Sequence, residues 1–210
     1  EYLIEQLQFT GSDKITASGE ALKSIRMNFN HPVKELIWTI KPDNSTWGAD
    51  VSGKPTGAVA DAETKAYWNN FSSSNYNQYN HLDDAGGLGL LPDTSGPVVM
   101  PVLPTNPVKK AKLQLNGNDR FAERDGAYFD TIQPYQHHEN TPNHYKVGIN
   151  VYSFALKPEE HQPSGTLNMS RIDSAHLQIA SKVTGLISIY AVNYNVLRIL
   201  SGMGGLAYSN

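Results

Sequence analysis

Cysteine is absent from the 210-residue chain, which excludes disulfides, thiolate zinc sites and a catalytic thiol and leaves side-chain packing to hold the fold. No run approaches the roughly 18 to 20 consecutive apolar residues that a bilayer-spanning helix needs, and the N-terminus lacks the basic-then-apolar layout of a signal peptide. No transmembrane segment is expected. Charge is also scarce: Asp, Glu, Lys and Arg make up 18% of the residues, with a net charge of -3 and a pI near 6.2. The one local basic run, Lys109-Lys110-Ala111-Lys112, is too short to follow a phosphate backbone, so no direct nucleic-acid partner is expected. Methionine is missing from position 1, where Glu1 stands before Tyr2-Leu3-Ile4. That opening reads like the middle of a strand, and something is expected to precede it.

What the chain does contain is strand signal. Tyr2 to Thr10 is the first candidate; in Ser24 to Asn30, Ile25, Met27 and Phe29 alternate with Ser24, Arg26 and Asn28, the period of a half-buried strand. Val33 to Ile40 is a more continuous apolar run, as expected of a strand covered on both faces. From Lys41 to about Asn106 the sequence turns loop-like, with aromatics such as Trp47, Tyr67, Trp68 and Phe71 scattered among Gly, Pro, Ser and Asn. A stretch of that length predicts a projecting surface, with Trp47, Trp68 and Phe71 at its outer or intersubunit side. Lys109 to Leu115 reads as a strand closed by an Asn116-Gly117 turn. After it, Asn118 or Asp119 is placed to cap a helix carrying Phe121, Tyr128, Phe129 and Ile132 on one face until Pro134 stops it, in one piece or two. Val147 to Leu156, Thr166 to Ile172 and Ser174 to Lys182 are further strands, with Gln162-Pro163-Ser164-Gly165 as a type I turn. Gly185 to Leu200 gives the strongest strand signal, rich in β-branched and aromatic residues. Together these predict an all-β fold, an antiparallel eight-stranded jelly-roll sandwich with long loops and one short helix, spanning residues 1–210 as a single domain.

Chemistry is thin. His137-His138-Glu139, with His144 nearby, is the densest set of ligand-type side chains. A cupin-type metal site, however, wants His-x-His so that alternate strand residues face inward together. Adjacent histidines point apart, so hydrogen-bonding loop histidines are the preferred reading, with no metal, cofactor or catalytic residue expected. Asp83-Asp84 and Glu159-Glu160 read as solvated loop charges. No Gly-x-Ser-x-Gly elbow exists, and Gly86-Gly87-Leu88-Gly89 lacks the Gly-Lys-Ser/Thr ending of a phosphate loop. Three N-glycosylation triplets begin at Asn44, Asn70 and Asn168. Asn44 and Asn70 fall in the exposed loop region and are the expected acceptors, whereas Asn168 falls in a predicted strand.

The chemically silent segments carry a resemblance. Glu1 to Gly11, Asn28-Phe29-Asn30-His31-Pro32, Leu115 to Phe121, Gln133-Pro134-Tyr135-Gln136, Tyr152 to Pro158, Gln162 to Thr166, Ser170-Arg171-Ile172-Asp173, Asn193 to Arg198 and Ser201 to Tyr208 resemble the C-terminal half of the major capsid protein of nucleocytoplasmic large DNA viruses, nearest the chlorella-virus branch. The resemblance runs from end to end but is poor between Lys41 and Asn106. Leu167 and Met169 depart from relatives with Gly-Thr-Cys-Asn-Phe-Ser-Arg at that place, which bears on local packing. It implies a structural virion protein and not an enzyme. Two jelly rolls would share one polypeptide, this chain being the second, and three copies would form a pseudo-hexagonal capsomer in an icosahedral shell outside an inner membrane. The partners so implied are the same chain as a homotrimer, neighbouring capsomers and minor capsid proteins. The rival readings are a carbohydrate-binding jelly-roll module, using loop tryptophans to stack on sugars, and a cupin-type enzyme.

Overall fold

Period-two alternation decides which side chains of each strand meet the core. In the computed structural model, which describes residues 1–42, 106–139 and 148–208, these alternations sort into two antiparallel sheets. The larger sheet contains β1 (Tyr2–Ile15), β10 (Gly185–Leu200), β3 (Pro32–Pro42) and β7 (Asn150–Ser153) side by side. Two short strands join it, β11 (Met203–Leu206) on β10 and β8 (Leu167–Asn168) on β3. The smaller sheet runs β2 (Lys23–Met27), β9 (Ala175–Ser181), β4 (Val108–Leu115) and β5 (Asn118–Asp119), with β6 (Arg124–Asp125) also paired to β4.

Successive long strands alternate between the sheets, so every pairing between long strands joins residues distant in sequence. In the smaller sheet Ile25, Leu177 and Leu113 form one row across three strands. Facing them in the larger sheet, Ile40 stands beside Ile187, Trp38 beside Ile189 and Leu36 beside Ala191. All nine are buried, and with Ile15, Phe129 and Met169 they belong to one continuous core. At the open side between β1 and β2, Gln8 closes the gap by imitating a strand: its Nε2 donates to the Asn30 carbonyl at 2.6 Å and its Oε1 accepts from the Asn30 N–H at 2.9 Å.

Most of the expected strands are present, and Gly185–Leu200 has the bounds read from sequence. The helix is displaced. Asn118 and Asp119 cap nothing; they form β5, returning along β4 through a turn with Asn116 at φ 50° and Gly117 at φ 80°. The helical stretch begins only at Gly126, widens into a π-helical turn at Tyr128–Ile132 and passes straight into α1 (Gln133–His137). Pro134 does not end it but sits in the first turn of α1, and the helix continues past it to His137. Gly126 is the first helical residue, at a place where a Cβ would overlap the Val108 carbonyl oxygen. The expected strand over Thr166–Ile172 shrinks to β8 followed by a 3-10 turn, Met169–Arg171. The expected turn at Gly165 is irregular chain in which a Cβ would come within 2.7 Å of the Phe154 carbonyl oxygen. The described residues contain eleven strands, three of them two residues long.

Candidate functional site

The outer face of the larger sheet owes its composition to one extra residue in β3. Val192 pairs with Glu35 and Asn193 with Val33, so Lys34 is bulged out of the ladder. A bulge re-aims side chains: Val33 and Leu36, three apart, both enter the core, and Lys34 and Glu35 between them both leave it. Neither reaches open solvent. Lys34 is 3% exposed and Glu35 7%, because residues 154–160 and the end of α1 lie over them.

The covering is held by a polar clasp. The Lys34 carbonyl accepts from the Phe154 and Ala155 N–H groups at 2.9 and 3.2 Å. Its Nζ donates to the Pro158 carbonyl at 2.6 Å, pairs with Glu5 Oε1 at 2.6 Å and stands 5.3 Å from the centre of the Tyr194 ring. His138, just past α1, lies between two carboxylates, with Nε2 3.1 Å from Glu35 Oε2 and Nδ1 3.0 Å from Glu159 Oε1. The other Glu159 oxygen accepts from the Glu139 N–H at 2.9 Å. The hydrogen bond to Glu35, opposed by burial and reinforced by Glu159, raises the His138 pKa above its usual 6.5. Glu159 is lowered from 4.5, first by the Glu139 N–H and then by His138.

Beside this clasp the same face is apolar. Phe9 stacks on Tyr190 with centroids 4.7 Å apart and planes 19° from parallel, and Leu7 stands opposite Val192. Leu7 is 64% exposed and Phe9 49%, although β1 is a long edge strand of the kind proteins usually blunt or cover. A second apolar area lies at the far end of β10, where Tyr2, Leu197 and Leu206 line up across β1, β10 and β11. Tyr2, Ile199, Leu200, Met203, Leu206 and Tyr208 are all exposed there. Asn195 ties this end together, donating to Gln6 Oε1 and to the Tyr208 carbonyl, each at 2.9 Å.

Of the residues singled out in the sequence, the structure brings His138 and Glu159 together and separates their neighbours. His137 Nδ1 lies 3.0 Å from the Leu156 carbonyl, and Glu160 pairs with Lys157 at 2.7 Å. Among the described residues no group of three or more His, Asp or Glu side chains is gathered as metal ligands, and the two carboxylates meet opposite nitrogens of the His138 ring. Glu159 is thus a tethered carboxylate and not a solvated loop charge. Trp38 is fully buried. Asn168 ends β8, exposed, its side chain accepting from the Ser170 N–H at 3.1 Å. Met169 fills a core position and Leu167 packs against the core. Asn44, Asn70, Trp47, Trp68, Phe71, Asp83, Asp84, Gly86 to Gly89 and His144 lie outside the described residues. Sequence reading missed Lys34 and Glu35. Their signal was present: two opposite charges in the middle of a run expected to be covered on both faces.

Comparison with known proteins places this geometry in a family. The family model described as large eukaryotic DNA virus major capsid protein matches residues 1–205. The major capsid protein of Phaeocystis pouchetii virus is 44% identical over 261 residues, and that of Paramecium bursaria Chlorella virus 1 is 40% identical over 242; each match takes in 100% of this chain and 49% of the relative. Among solved structures, the crystal structure of PBCV-1 VP54 fitted into a reconstruction of the virophage Sputnik superposes with a TM-score of 0.64 at 37% identity. That superposition covers 100% of this chain and 51% of the other. The chain therefore spans about half the length of the relatives it matches.

Proposed function

The chain belongs to the family of major capsid proteins of large eukaryotic DNA viruses, and from that premise we propose that it is one jelly-roll unit, the second of two, in a capsid subunit. Its role is structural. Three copies of the full polypeptide form a pseudo-hexagonal capsomer, and capsomers, with minor capsid proteins, tile an icosahedral shell in the virion. The match over residues 1–205 carries this reading. The alternation of strands between sheets supports it: β1, β2, β3, β4, the β5–β6 pair, β7, β9 and β10 supply the eight positions of a jelly roll, with β8 and β11 as additions. The exposed strip of Leu7 and Phe9 supports it too, since permanent interfaces are apolar and commonly bury more than about 2,000 Å².

The direct test is the mass of the full-length polypeptide in solution by light scattering. A particle of three subunits at micromolar concentration is the expected result, and a monomer at that concentration contradicts the proposal. Asn44 and Asn70 are the proposed sugar acceptors. Intact-mass measurement of virion-derived protein should show glycan mass that the Asn44→Gln, Asn70→Gln double variant lacks.

A further inference from the structure

We propose that His138 is a proton-held clasp: with both ring nitrogens protonated it bridges Glu35 of β3 and Glu159 of the covering segment, and loss of one proton releases residues 154–160 from the outer face of the sheet. A neutral imidazole has one N–H and one bare lone pair, whereas an imidazolium has two N–H groups. Glu35 Oε2 and His138 Nε2 are both buried without a hydrogen-bond partner, yet they stand 3.1 Å apart at ion-pair distance, while Nδ1 lies 3.0 Å from Glu159. Only the doubly protonated ring supplies both carboxylates. In the neutral ring one carboxylate oxygen meets a lone pair, a buried mismatch that favours separation.

The surrounding charges point the same way. Among the described residues, those facing the site are Lys34 and Glu35 on β3, Glu5 on β1, Tyr194 on β10, Glu159 on the covering segment, and His137 and Glu139 beside His138. Lys157 and Glu160 on the same segment neutralise each other. With His138 neutral, Lys34 alone among these groups balances Glu5, Glu35, Glu139 and Glu159; the imidazolium supplies a second positive charge.

The sign of the pH effect follows from linkage. The pKa of His138 is raised on folding, so its contribution is complete below about 6.5 and is lost as pH rises through the folded value. Glu159 is lowered, so its contribution is present above its ordinary value near 4.5 and is lost as pH falls through the folded one. The clasp is therefore tightest in mildly acidic solution and opens on the alkaline side.

Hydrogen–deuterium exchange on the full-length polypeptide, expressed as protection factors corrected for intrinsic rates, tests this without any need for assembly. Peptides covering residues 154–160 should lose protection by about tenfold between pH 6 and pH 9. His138→Gln, which donates at every pH, should abolish that dependence, and Glu35→Gln should move its midpoint to lower pH. Glu159→Gln, at a half-exposed position, provides a variant with little risk to folding and should weaken the dependence as well. Wild-type protection that is flat from pH 6 to 9, or an unchanged loss in His138→Gln, overturns the proposal.

Discussion

At Gly126 the chain has space for a hydrogen and nothing larger, because the Val108 carbonyl oxygen occupies the place of a Cβ. Gly126→Ala must push apart the start of the helix and β4, and a cost of about 1 to 3 kcal/mol is expected from overpacking of this kind. Thermal or urea unfolding measures it; a change under about 0.5 kcal/mol contradicts the close approach. Next to it, Asn106 Nδ2 donates to the Gly126 carbonyl at 3.0 Å and to Asn150 Oδ1 at 2.5 Å, while Asn106 Oδ1 accepts from the Val108 N–H at 3.0 Å. Two buried amides thus satisfy the backbone where the helix region, β4 and β7 meet. Asn150→Ala strands a buried donor of Asn106, a loss of about 1 to 3 kcal/mol, readable in the same unfolding experiment. If it unfolds at the wild-type midpoint, the network contributes nothing.

Among the elements, β3 and β10 form the centre of the larger sheet, and Trp38 sits between them and Phe129, whose ring centre is 5.1 Å away. Trp38→Ala should cost about 3 to 5 kcal/mol, seen as an unfolding midpoint at much lower denaturant; a small shift would mean that the core collapses around the vacancy. These central strands were legible in the sequence because burial on one face, or on both, writes itself as alternation or as a continuous run. Ile25, Met27 and Phe29 are buried as their period requires. The helix was not legible in its place. Phe121 and Phe129 suggested one helical face, yet they meet across the β5–β6 turn region, with ring centres 5.7 Å apart. A ring contact between residues eight apart across a turn leaves the same local pattern as a helix. The clasp was half legible: His138 and Glu159 stood out as residue types, but their partner Glu35 is more than a hundred positions from either. The bulge that aims it is a matter of register between strands, which no local window records.

For the whole molecule, the described residues present a sheet with apolar side chains on both faces, one side filled by the core and the other showing Leu7 and Phe9 to solvent. Replacing both by aspartate touches no core contact, so the unfolding midpoint of the subunit should hold while trimer formation falls at least tenfold, as expected when charges enter a desolvated interface. Unchanged trimer yield would remove this strip from the assembly surface. The account as a whole is tested most directly by single-particle electron microscopy of the full-length polypeptide. It predicts three-fold particles with six barrels, one barrel of each pair matching the two sheets described here and its Leu7–Phe9 strip covered. Particles with one barrel per subunit, or subunits that never associate, would contradict it.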